Sequence, residues 1–321
     1  MNSEPTFVGL DLGGTKTAVV AGGATGPARW RLEFPTVGPN GPHPPEVLLR
    51  QVVAEVRRRE PVVTAVGVSS GGPLDEAKGL LLNPPNLPAW HGLPITDWLH
   101  RELGAAAFLE NDANACALAE FREGAGKGAG SVVFLTCGTG LGAGLVLNGQ
   151  LWRGANGMAG ELGHWRLTEG GPVGYGRAGS LEGWCSGGGL AQQMASSRLE
   201  RSQAGQSAPS WNRDDVRALG EAAQGGDPVA RDLLSQSGQR LGRALALVVD
   251  LLNPDVVILG SIFVRLEAWL RPALEAELRR EALGRSLEAC RVVPASLGEE
   301  LGDRAALWVA RLGWQARKEK P

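Results

Sequence analysis

Four short stretches combine residue types that could do chemistry. Asp11-Leu12-Gly13-Gly14-Thr15-Lys16 delivers an acid, two glycines, a hydroxyl and an ammonium in succession. Backbone N–H groups in such a turn can hold phosphate oxygens, because no Cβ blocks the approach. Asp11 is suited to hold a hydrated Mg²⁺ beside them, since that ion takes few carboxylates and keeps several waters. An ordinary hairpin turn is the plain alternative. Thr136-Cys137-Gly138-Thr139-Gly140-Leu141-Gly142 offers a second run of free N–H groups and two hydroxyls. It is not a dinucleotide fingerprint, which needs a helix after the glycines, whereas Ala143–Leu147 reads as a strand. Gly124-Ala125-Gly126-Lys127-Gly128 is not a Walker loop, because no Ser or Thr follows the lysine.

The third stretch, Glu110-Asn111-Asp112-Ala113-Asn114, sits where a strand gives way to a helix. A carboxylate there can face a cleft and take a proton from a substrate hydroxyl. It can equally cap the helix, as Asp or Asn commonly does. The fourth is Glu161-Leu162-Gly163-His164, with Glu182 further on, whose acids and imidazole suit paired hydrogen bonds to neighbouring hydroxyls. His43, His91 and His100 and the 10 tryptophans are assigned to structural roles.

These residues need a frame to hold them. Phe7–Leu12 and Thr17–Ala21 read as strands joined by the first glycine turn, and Ser131–Thr136 and Ala143–Leu147 as strands joined by the second. The repeated strand–turn–strand pattern points to two related lobes facing one cleft. Pro45–Arg59, Asn114–Phe121, Pro228–Leu252 and Glu300–Ala316 have helical spacing, and Val62–Val68, Ala106–Leu109 and Val256–Leu259 read as strands. Ser202–Arg213 is polar, with Gly and Pro, and reads as a connector. The alternation indicates an α/β fold. The expected division is 1–112 for a first lobe, 113–299 for a larger second lobe, and 300–321 for a helix returning to the first.

Composition excludes several classes. Of 321 residues 43% are hydrophobic and 21% charged, ordinary for a globular chain that can bury a core. A formal charge of −2 gives no basic surface for nucleic acid. Neither a signal peptide nor a membrane-spanning run is evident, so a cytoplasmic protein with no membrane partner is expected. Cys116, Cys137, Cys185 and Cys290 are scattered and read as reduced, mostly buried thiols.

Taken in order along the chain, D-x-G-G-T-K, E-N-D-A-N, T-x-G-T-G-x-G and E-x-G-H resemble the ROK family of bacterial sugar kinases and sugar-responsive repressors. The resemblance runs from Phe7 to the last helix and implies the two-lobed actin-like, ribonuclease-H-like fold. It implies that Asp11, Gly13, Gly14, Thr15 and Lys16 form one phosphate loop and Gly138, Thr139 and Gly140 another, with Gly260 and Ser261 at the adenosine side. A glycine is usual where this chain has Ser261. It further implies that Asp112 is the general base, and that Gly72, Asn86, Asn111, Asp112, Glu161, His164 and Glu182 line the sugar. The implied reaction is transfer of the γ-phosphate of ATP, with Mg²⁺, to a hexose hydroxyl, most simply O6 of glucose. N-acylhexosamine or fructose phosphorylation on the same scaffold, polyphosphate as donor, and a non-catalytic sugar sensor stay open. A DNA-binding helix-turn-helix is not expected, because only Met1–Thr6 precede the first strand. A homodimer is expected by family analogy.

Two departures from the family pattern stand out. Many members bind a structural zinc through the E-x-G-H histidine and three cysteines, whose positions here hold Val173, Tyr175 and Ser180. Four N or S donors are needed for a tetrahedral zinc, so none is expected, and a hydrogen bond from Tyr175 or Ser180 is expected to orient His164 instead. Gly71 stands where a proline is usual.

Overall fold

The computed structural model describes residues 4–38 and 41–319. The chain divides into two compact units. The first comprises 1–127, 153–157 and 297–321, and the second 128–152 and 158–296.

The first unit is built on five strands: β1 (Phe7–Leu12), β2 (Lys16–Gly22), β3 (Ala28–Pro35), β4 (Ala65–Ser70) and β5 (Ala106–Asn111). Their order is β3-β2-β1-β4-β5. The β1–β2 and β2–β3 pairs are antiparallel, and β1–β4 and β4–β5 parallel. One face is covered by helices α1 (Pro45–Arg59) and α2 (Ile95–Leu103), whose Leu48, Leu49, Val52, Ile95 and Leu99 bury against Val8, Leu10, Val66 and Val68. The C-terminal helix (Leu301–Glu319) lies on the sheet's other side. Gly9 and Gly67, paired across β1 and β4, allow its close approach. A Cβ on Gly67 would meet the Ala310 nitrogen at 2.3 Å.

The expected boundary at Asp112 differs from this division. Helix α3 (Asp112–Glu123) packs Ala115 and Ala119 on Ala305, Trp308 and Val309 of the C-terminal helix. Its apolar stripe thus has its partner in the first unit, and the units divide at Lys127 and Gly128.

The second unit repeats the pattern with β6 (Val132–Cys137), β7 (Leu141–Leu147), β8 (Gln150–Leu151), β9 (Val256–Leu259) and β10 (Arg291–Pro294), ordered β8-β7-β6-β9-β10. Antiparallel pairing on one side of the founding strand and parallel pairing on the other match the first sheet. Around it lie α4 (Leu181–Cys185), α5 (Gly187–Gln203), α6 (Val216–Gln224), α7 (Pro228–Leu252) and α8 (Ile262–Glu281). Helix α7 starts sharply because Asp227 accepts hydrogen bonds from the Val229 and Ala230 N–H groups and Pro228 occupies the first turn. Among the described residues no helix is long and apolar enough to cross a membrane.

Candidate active site

In the first unit, Asp11 ends β1 and the tight β1–β2 turn follows it. Gly13 N–H closes on the Lys16 carbonyl at 3.1 Å. The buried Thr36 holds the turn from behind: its hydroxyl donates to the Gly13 carbonyl at 2.8 Å, and its N–H donates to the Thr15 carbonyl at 2.9 Å. Asn86, from the proline-rich loop, lies over Gly14 so closely that a Cβ there would meet Asn86 Cβ at 2.8 Å. The Lys16 ammonium is engaged by Glu33 of the neighbouring strand at 3.0 Å, on the surface.

Asp11 is half-buried beside the first turn of the C-terminal helix, where a Cβ on Gly302 would come within 2.4 Å of its Oδ2. Burial first, then the charges of Asp112 and Asp303, push its carboxyl from the ordinary 3.8 up to about 6. Asp303 is itself held by Arg31 at 3.0 Å. An acid whose negative charge is poorly compensated by protein, next to a phosphate-sized turn, fits a hydrated Mg²⁺.

Asp112 opens helix α3, but it does not cap it. Asn111 Oδ1 accepts from the Ala113 and Asn114 N–H groups at 3.0 and 3.3 Å. That leaves Asp112 at the first helical position. Its Oδ1 accepts from the Ala113 N–H at 2.8 Å, and its Oδ2 faces Gly71, at 3.9 Å from where a Cβ there would stand. Burial raises its carboxyl above the usual range, and the N–H groups of Ala113 and of Asp112 itself pull it partly back. The result is a more basic carboxylate with one oxygen to spare, as a general base needs. Gly72, joined to Pro73 by a cis peptide, passes beside Asn111 Nδ2.

The backbone that carries Asp112 is fixed by Glu110, whose side chain is 3% exposed. Its Oε1 accepts from the Asn111 N–H and from Asn114 Nδ2, and its Oε2 accepts from Arg153 Nε and Nη2 at 2.9 and 2.5 Å.

In the second unit, the β6–β7 turn presents Gly138, Thr139 and Gly140, the last two exposed. The N-terminus of α5 supports this turn from behind: Gly187 and Gly188 donate their N–H groups to the carbonyls of Gly138 and Thr139 at 2.8 and 3.1 Å. Ser186 caps α5 through the Gly189 N–H. Gly260 packs where a Cβ would meet the Phe134 ring at 2.9 Å. Ser261 sits at φ 54°, ψ −112°, a conformation natural to glycine, and its Oγ is 3.3 Å from Thr136 Oγ1.

Glu161 precedes and His164 ends a short 3₁₀ turn, with Nε2 of the imidazole 3.7 Å from Glu161 Oε2. The imidazole lies against the Tyr175 ring, with centroids 3.9 Å apart and planes 20° apart. Ring stacking is therefore what the structure places on His164, where the sequence reading expected a hydrogen bond. The Ser180 hydroxyl is turned elsewhere, donating to the Gly174 carbonyl and capping α4 through the Gly183 N–H. With Val173, Tyr175 and Ser180 at the donor positions and a tyrosine ring on the imidazole, these residues do not fit a tetrahedral zinc. The nearby Cys185 thiol donates to the Ser237 carbonyl inside the core, and burial pushes it far up.

Residues 7–312 match the ROK family profile. The chain belongs to the ROK family. The glucokinase of Thermotoga maritima is 34% identical over 258 residues, 79% of this chain and 81% of that one. The N-acetylmannosamine kinase of Escherichia coli O9:H4 is 32% identical over 83% of this chain and 86% of its own. The structure of a ROK family glucokinase from Streptomyces griseus in complex with glucose and AMPPNP is 31% identical. It superposes with a TM-score of 0.75 over 96% of this chain and 100% of that one. The paired sheets described above are the ROK, actin-like architecture.

Within the first unit the fold gathers Asp11, Gly14, Gly72, Asn86, Asn111 and Asp112. Within the second it gathers Gly138–Gly140 with Ser261, and His164 with Glu161 and Tyr175. Glu182, expected as a sugar contact, holds two backbone N–H groups of the second unit. Its Oε2 accepts the Leu141 N–H at 2.9 Å and its Oε1 the Tyr175 N–H at 3.2 Å. Arg153, Asp303, Gly187 and Gly188 were missed in the sequence. The S-G-G-G run that opens α5, with Ser186 as its cap, was the one signal that pointed to a helix N-terminus there.

Proposed function

We propose that this ROK protein is an ATP-dependent hexokinase that phosphorylates glucose at O6. Asp112 accepts the proton of the attacking hydroxyl, and its deprotonated Oδ2 is the atom that does so. The observation that carries this reading is the division of labour at the head of α3. Asn111 satisfies the helix N-terminus, so the neighbouring acid is left with a spare oxygen and raised basicity. The identities with glucokinases support glucose as acceptor and ATP as donor.

The remaining roles follow from the contacts. The Gly13–Thr15 and Gly138–Gly140 turns bind phosphate oxygens through backbone N–H groups. Asp11 would hold the Mg²⁺ that accompanies ATP, which would supply charge neutralisation on the phosphates. Asn111 Nδ2, Asn86, Glu161 and His164 orient the sugar hydroxyls. Glu182 acts on the sugar side indirectly, by bracing Leu141 and Tyr175.

The identity with N-acetylmannosamine kinases favours a second acceptor, a 2-acylamino hexose. A coupled assay of ADP release over glucose, mannose, fructose, N-acetylglucosamine and N-acetylmannosamine separates the two. Glucose is expected to give the highest kcat/KM with ATP. A preference for an N-acyl sugar would move the assignment to the second reading, and no turnover with any of the five would overturn both.

A further inference from the structure

The hairpin of Val173–Gly174 and Arg177–Ala178 turns through two residues, Tyr175 and Gly176, at φ 51° and 70°. Two-residue hairpin turns with both central φ positive favour Asn or Gly at the first position. This chain places its single tyrosine there, with 46% of its surface exposed. A bulky side chain in the left-handed region is costly, and such positions cluster where the side chain has a task.

The contacts specify the task. The ring stacks on His164. Room for it is made at Gly163, where a Cβ would come within 2.9 Å of the tyrosine Cε2. The hydroxyl reaches the Leu141 carbonyl at 3.5 Å. The Tyr175 and Leu141 N–H groups both donate to Glu182, one to each carboxylate oxygen. Leu141 directly follows Gly138–Gly140.

We infer that Tyr175 is a positioning residue: its ring fixes the imidazole plane of His164, and its backbone ties that imidazole, through Glu182, to the end of the second phosphate turn. The inference rests on the reading of His164 as a glucose contact. Other ways of orienting a histidine use a hydrogen bond or a metal; here an aromatic face does it, and the strained turn holds the ring in place.

Tyr175→Asn tests this, because asparagine suits the turn and removes the ring together with its hydroxyl. The variant is expected to melt no lower than the parent. Its glucose KM is expected to rise about three- to tenfold with kcat within about twofold, the pattern of lost binding shared equally by ground and transition states. Tyr175→Phe keeps the stack and is expected to keep glucose KM within about twofold of the parent. A well-folded Tyr175→Asn enzyme with unchanged glucose KM overturns the inference. So does a Phe variant as impaired as the Asn one. His164→Gln, measured alongside, keeps the two claims apart. If it raises glucose KM and Tyr175→Asn does not, the positioning role alone falls. If it leaves glucose KM unchanged, the sugar role of His164 falls and takes the inference with it. Because the chain has one tyrosine, 3-fluorotyrosine labelling gives one ¹⁹F resonance. That resonance is expected to shift on glucose saturation, and a resonance indifferent to glucose overturns the inference independently of turnover.

Discussion

The buried carboxylate of Glu110 gives a sharp test of how the base is held. Arg153→Met removes both donors to Glu110 Oε2 while keeping an apolar stem. Deleting one partner of a buried ion pair costs about 3–5 kcal/mol, because a charge is left unpaired. Two features reduce this figure. Arg153 is 48% exposed, so water can reach the vacated position, and Oε1 keeps its bonds from Asn111 and Asn114. The expected loss is therefore about 2–3 kcal/mol in urea denaturation at pH 7.5. Glu110→Gln should rescue it, since the amide oxygen still accepts from Asn111 and Asn114 and no charge is stranded. The double variant is expected within about 1 kcal/mol of the parent, a coupling that a double-mutant cycle reads directly. The single Arg153→Met change should also lower kcat about tenfold, because Asp112 rides on the backbone that Glu110 anchors. A loss below about 0.5 kcal/mol, or strict additivity of the two changes, would refute the reasoning.

Two further outcomes follow from strain and from charge. Ser261→Gly relieves a residue held at φ 54°, ψ −112° and is expected to stabilise the protein by about 1 kcal/mol, read as a higher urea midpoint. Loss of the Ser261–Thr136 contact should raise the KM for ATP without altering that for glucose. Asp11 titrates near 6 in the fold against an ordinary 3.8, so the native state takes up its proton at higher pH than the unfolded chain. Its contribution is therefore lost as pH rises from about 4 to about 6, by at most about 3 kcal/mol and less after solvent screening. Asp11→Asn should accordingly be more stable than the parent at pH 7.5 and no more stable at pH 4, while losing Mg²⁺–ATP turnover. Equal stability differences at the two pH values would contradict the assignment.

Much of this was legible in the chain. Phe7–Leu12 and Val256–Leu259 are dense in apolar residues, so their burial on both faces left little ambiguity. Pro228–Leu252 carries its own start signal in Asp227 and Pro228. The two glycine turns stood out because strands flank them. Less was legible where the deciding partner is remote in sequence. Whether Asn111 or Asp112 caps α3 depends on backbone angles, and both residue types cap well. Arg153 lies 43 residues from Glu110, and nothing local marks it as the counter-charge. Helix α8 was not assigned because Pro272 interrupts its pattern, yet the helix continues through it. The third strand, Ala28–Pro35, alternates strictly between half-buried Ala28, Trp30, Leu32 and Phe34 and exposed Arg29, Arg31, Glu33 and Pro35, a period-two pattern that the sequence does carry and that was missed there. The Tyr175 stack was hidden because sequence shows the loss of a cysteine and says nothing of which ring face replaces it.

The central claim is that Asp112 removes the proton from the attacking glucose hydroxyl. It is tested most directly by Asp112→Asn, with kcat from coupled ADP release and glucose affinity from calorimetry on the same preparation. The expected result is a kcat at least about a hundredfold lower with glucose still bound. A variant that turns over glucose at close to the parental rate would contradict it.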